Sequence, residues 1–86
     1  MLFHIEFMYQ PTERERLFRY LHSGALEQVD SLKVVGIWIA AETGTGFAVV
    51  QTDTATALYQ LSANWSEYGS IRVTPLISLK ELPTVG

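Results

Sequence analysis

Leu32-Lys33-Val34-Val35-Gly36-Ile37-Trp38-Ile39-Ala40-Ala41-Glu42-Thr43-Gly44-Thr45-Gly46-Phe47-Ala48-Val49-Val50-Gln51 is the stretch whose reading decides the fold. Residues 31–41 form the most strand-like run in the chain, rich in β-branched and aromatic side chains. Glu42-Thr43-Gly44-Thr45 reads as a turn, with Gly44 free to take positive φ. Residues 46–52 read as the returning strand. The hairpin so formed is apolar on both of its faces.

Working outward, residues 2–9 alternate, with Phe3, Ile5, Phe7 and Tyr9 on one face and Leu2, His4, Glu6 and Met8 on the other. Gln10-Pro11 stops this first strand. Thr12 then opens a helix, with Glu15 three residues on completing a capping box. Leu17, Phe18 and Leu21 give that helix its apolar stripe, extended towards Ala25. Arg14, Glu15, Arg16 and Arg19 decorate the other side, and Gly24 stops it. On the far side of the hairpin, Asp53 or Thr54 caps a second helix with a stripe of Ala55, Leu58, Leu61 and Trp65. Residues 71–79 form a last strand. Pro75 lies inside it, so the strand belongs at a sheet edge, where the missing N–H is harmless.

The order β-α-β-β-α-β is that of the split βαβ, or ferredoxin-like, α+β sandwich. It implies a four-stranded antiparallel sheet in the order 4-1-3-2, with right-handed crossovers placing both helices on one face. With 86 residues there is room for one domain, residues 1–80, and a short tail over 81–86. Hydrophobic residues make up 48% of the chain and charged residues 17%, which excludes a disordered polypeptide. There is no cysteine, so neither a disulfide nor a thiolate metal site holds the fold. The start of the chain has no signal-peptide pattern, and its longest apolar run, residues 34–41, is far too short for a membrane helix. A cytoplasmic protein with no membrane contact is the expectation.

An even hairpin loop pairs Trp38 with Val49 and Ala40 with Phe47. Opposed residues share a face. Val34, Gly36, Trp38, Ala40, Phe47, Val49 and Gln51 then point one way, joined by His4, Glu6 and Met8 and by Arg72, Thr74 and Leu76. Val35, Ile37, Ile39, Ala48 and Val50 point under the helices with Phe3, Ile5 and Phe7. Two helices cover only one face, and a sheet face in water is normally polar. Trp38, Phe47, Val49, Met8 and Leu76 would lie bare in a monomer. Covering them removes on the order of 500 Å² per chain, about 12 kcal/mol gross at ~25 cal/mol per Å². Association itself costs roughly 4–15 kcal/mol. The expectation is a homodimer with open sheet faces packed together.

Lys33-Val34-Val35-Gly36-Ile37-Trp38, then Gly44-Thr45-Gly46-Phe47-Ala48-Val49-Val50-Gln51-Thr52-Asp53, then Trp65-Ser66-Glu67 and Val73-Thr74-Pro75, carry a resemblance across nearly the whole chain. The chain is similar to a family of short bacterial proteins classed as a domain of unknown function. That family resembles the dimeric α/β-barrel superfamily, ferredoxin-like chains paired sheet to sheet into a barrel. The superfamily includes cofactor-free monooxygenases, muconolactone-type isomerases, haem-dependent enzymes and small-ligand sensors. The resemblance implies a ligand between sheet and helices or inside the barrel. It carries over no catalytic residue.

Five side chains converge on the open face as ligand-binding candidates: His4, Glu6, Trp38, Gln51 and Arg72. His4 is either a general base or a hydrogen-bonded interface histidine. Glu6 and Arg72, on neighbouring strands, suit either a bidentate pair that anchors a ligand or an ion pair that fixes dimer register. Trp38 suits stacking on an aromatic ligand or plain interface packing. His22, near the end of the first helix, is read as serving the helix dipole rather than a site. The two histidines have no metal-ligand spacing, and no cofactor is implied. RNA-recognition motifs share this element order, but Thr45-Gly46-Phe47-Ala48-Val49-Val50-Gln51-Thr52 lacks their basic residue and stacking aromatics. With a net charge of −3, nucleic acid is not an expected partner. Two functions remain: a homodimer that binds a small, partly apolar molecule, or a cofactor-independent isomerase or monooxygenase acting on a small aromatic one.

Overall fold

The computed structural model of the chain describes residues 1–40 and 44–83. Four strands, β1 (Leu2–Tyr9), β2 (Lys33–Ile39), β3 (Thr45–Gln51) and β4 (Gly69–Leu76), alternate with two helices, α1 (Arg14–His22) and α2 (Ala55–Trp65). The sheet is antiparallel throughout, with strand order β2-β3-β1-β4, as the element order requires. Pro75 sits on edge strand β4, opposite Phe3. Its missing N–H therefore removes no central ladder bond.

Both helices pack on one face. Ile5, Phe7, Ala48 and Val50 from the sheet meet Leu17 of α1, Leu26 after it, and Ala57, Leu61 and Trp65 of α2 in a single buried cluster. Its largest member is Trp65, whose indole lies 4.3 Å from the Phe7 ring, centroid to centroid. Phe7 in turn fills the space above Gly46, where a side chain could not fit. Thr52 is the one buried polar residue among the described residues; its hydroxyl donates to the Ser31 carbonyl at 2.7 Å and accepts from the Thr54 N–H at 3.2 Å.

The helix ends differ in part from expectation. Thr54 caps α2, its hydroxyl accepting from the Ala57 N–H at 3.1 Å. The apolar stripe of α2 starts at Ala57, however, and Ala55 is exposed. The capping box at Thr12 does not form. Pro11–Glu13 is instead a 3-10 turn with proline at its start, and α1 begins at Arg14 without a side-chain cap. Proline pre-sets the φ of a first turn and holds the residue before it extended, as Gln10 is at φ −74° and ψ 144°. Gly24 does end α1, at φ 77°.

The hairpin register is offset from the expected one. Trp38 pairs with Phe47 rather than Val49, and the Ala40 N–H donates to the Thr45 carbonyl at 2.9 Å. Gly44 takes positive φ, at 66°, and the return strand starts directly after it. The rest of the expected turn, residues 41–43, lies outside the described residues. An offset of two residues leaves every side chain on its expected face. The exception comes from a β-bulge between Val34 and Gly36. Val34 pairs with Val50 on the helix side, and Val35 is the extra, exposed residue. A glycine inside a strand favours this kind of irregularity. The sequence expectation for Val34 and Val35 is therefore inverted.

Candidate functional site

Strand alternation places all five candidate side chains on the face away from the helices. One row across the sheet runs Trp38, Phe47, Glu6, Arg72; the next runs Gly36, Val49, His4, Thr74. Rings link the two rows. His4 stacks on Phe47 at 5.7 Å and 26°, and Phe47 on Trp38 at 6.0 Å and 29°. The Trp38 indole also spreads over Gly36, so a Cβ there would come within 2.5 Å of it. Gln51 stands apart at the other end of the face, opposite Leu2 and Lys33. It lines a wide polar hollow of about 880 Å³ with Asp30, Lys33 and Asp53.

Glu6 and Arg72 are direct cross-strand partners, but no ion pair within 4.0 Å joins them. Within one chain the two side chains form neither the ligand-anchoring pair nor the ion pair that the sequence allows. Trp38, Phe47, Met8 and Leu76 are between 36% and 49% exposed, so this face is bare and largely apolar in a single chain.

The more enclosed space lies on the opposite side of the sheet. α1 has only nine residues, and β2 is an edge strand. The helix therefore leaves the outer end of β2 partly uncovered, and Ile39 stays exposed. Between them is a hollow of about 540 Å³ lined by Tyr9, Arg14, Phe18, Leu21, His22, Ile37 and Ile39. That volume is in the range of small-molecule sites. Arg14, Phe18, Leu21 and His22 follow the i, i+4, i+7, i+8 spacing of a single helix face. Tyr9 meets Phe18 edge-on at 5.8 Å and 68°. The Arg14 guanidinium lies 5.5 Å above the same Phe18 ring, a cation–π contact that holds it over the hollow.

Chemically the hollow has an apolar floor of Phe18, Leu21, Ile37 and Ile39, with Arg14, His22 and Tyr9 around it. Arg14 supplies a permanent charge and a forked donor. His22 and Tyr9 can each donate or accept a hydrogen bond. None of His4, Glu6, Trp38, Gln51 or Arg72 lines this space. The sequence reading placed Arg14 on the outer side of α1 and set His22 aside. The spacing of residues 14, 18, 21 and 22 was the available signal for both.

A second polar feature lies under α2. The Tyr20 hydroxyl and the Trp65 indole N–H are buried without a hydrogen-bond partner. Burial pushes the Tyr20 phenol above its usual 10.0, helped by the charges of Tyr68 and Glu67; the Asn64 side chain opposes the rise without reaching hydrogen-bond geometry. Among the described residues, no cluster of three or more His, Cys, Asp or Glu side chains could hold a metal ion. No helix among them is long and apolar enough to cross a membrane.

No curated protein and no solved structure matches the chain. A family model does, over residues 1–85, and with nearly every residue covered the chain belongs to that family: the domain of unknown function DUF3303.

Proposed function

We propose that the chain works as a homodimer that binds a small, partly apolar molecule, one in each protomer, in the hollow between α1 and β2. The observation that carries this reading is the hollow itself: about 540 Å³, apolar at its floor, with a cation, an imidazole and a phenol around it. Small-molecule sites combine a mostly apolar cavity with a few polar groups in this way. The sequence reading had put the ligand at the open sheet face. The hollow suits a ligand better, because it is concave and the open face is a sheet surface partly filled by its own aromatic rings.

The open face is left for the second copy. Trp38, Phe47, Met8 and Leu76 are the large apolar side chains that a second copy would cover there. In this arrangement Glu6 and Arg72, unpaired within one chain, face the partner's sheet beside His4 and Trp38.

An NMR titration of the native chain with small substituted benzenes tests the reading. The expected amide shifts fall at Phe18, Leu21, Ile37 and Ile39, and an Ile39→Trp variant that fills the hollow loses them while keeping its fold. Shifts confined to His4, Glu6 and Arg72 would return the ligand to the sheet face. No shifts with any probe would contradict ligand binding.

A further inference from the structure

We infer that the molecule taken by the α1–β2 hollow is a monocarboxylate with an apolar body, its carboxylate held by Arg14 and its body lying against Phe18, Leu21, Ile37 and Ile39. The inference rests on the reading of that hollow as the ligand site.

The charge inventory points this way. The chain carries nine acidic residues against six basic, yet none of the seven described side chains lining the hollow is acidic. The ion pairs among the described residues join Met1 to Asp53 and Arg16 to both Glu13 and Glu67. Arg14 takes part in none of them. Its sequence neighbour Glu13 is already engaged by Arg16. An arginine with no carboxylate partner among the described residues, set over an aromatic ring at the edge of an apolar cavity, keeps its forked donors available.

The same inventory argues against other classes. An ammonium would meet Arg14 with no carboxylate among the described lining residues to receive it. A neutral molecule would leave the guanidinium fork without its strongest acceptor. A doubly charged phosphate would bring more charge than one arginine offsets, over a floor made of four apolar side chains. A single carboxylate matches the single fixed charge among the described lining residues.

The test uses two probes of nearly equal shape, 4-tert-butylbenzoate and its neutral counterpart 4-tert-butylbenzamide, titrated calorimetrically into the full chain. The benzoate is expected to bind about tenfold or more tightly than the amide, the scale of a charge-assisted fork. Arg14→Gln should erase that preference, bringing benzoate affinity down to that of the amide measured on the same variant. Arg14→Lys should keep part of it, and Arg19→Gln all of it. Equal binding of the two probes, or a preference that survives Arg14→Gln, overturns the inference and leaves the hollow a site for neutral molecules. A preference lost equally in Arg19→Gln also overturns it, since net charge alone would then explain it. If neither probe binds, the ligand site itself falls, and this inference with it.

Discussion

The indole of Trp38 lies flat over Gly36 two residues earlier on edge strand β2, occupying the space a side chain at 36 would need. It is one end of a run of rings that continues through Phe47 to His4. An aromatic laid over a strand glycine restores the packing that the glycine gives up. Gly36→Ala should therefore push the indole off the strand. Trp38 is half-exposed within one chain but would be held by the partner in the proposed dimer, so the expected cost is that of overpacking, about 1–3 kcal/mol. Urea unfolding followed by circular dichroism measures it, and a red shift of tryptophan emission should accompany it.

Trp65 is the opposite case, with no room to move. It packs on Phe7 inside the buried hydrophobic cluster of the described residues. Trp65→Ala should cost about 3–5 kcal/mol, the usual range for deleting a large buried aromatic. A domain of this size has roughly 4–13 kcal/mol in total. The variant should show a steep fall in its urea midpoint, or an unfolded spectrum at 25 °C. An unchanged midpoint would mean that the indole is not the core element described above.

The buried Tyr20 hydroxyl gives the chain an alkaline limit. Its folded pKa is raised by desolvation, so the unfolded chain loses this proton first as pH rises. Between the ordinary value of 10.0 and the higher folded value, the unfolded state binds fewer protons and stability falls. Below that window the group makes no pH-dependent contribution. Tyr20→Phe should flatten the fall above pH 10. Near neutrality it should be tolerated, because the hydroxyl it removes has no partner. Thermal melts of both chains across pH 7 to 11 would show the difference.

The element order and the sharing of faces were legible in the sequence, because both follow from period-two alternation and from Pro75. Trp38, Phe47, Met8 and Leu76 stand exposed where that alternation placed them. The bulge at Val35 was not read, although Gly36 beside it was the cue. The exact hairpin register was missed because period-two alternation fixes the face a residue takes, and loops of different even length leave that face unchanged. The hollow was missed for a different reason. It is produced by the shortness of α1 against an edge strand, and that length depends on Pro11 starting a 3-10 turn where a capping box had been expected. Arg14 shares a helix face with Phe18 and His22 by its i, i+4, i+8 spacing alone, and that much the sequence did offer.

The account turns on a sheet that is greasy on both sides and receives helices on one. Light scattering behind a gel-filtration column, run on the native chain at low micromolar concentration, tests this most directly. The account predicts a species of twice the chain mass, and Trp38→Glu, which places a charge in the middle of the contact, should convert it to monomer or aggregate. A well-behaved native monomer under those conditions would contradict it.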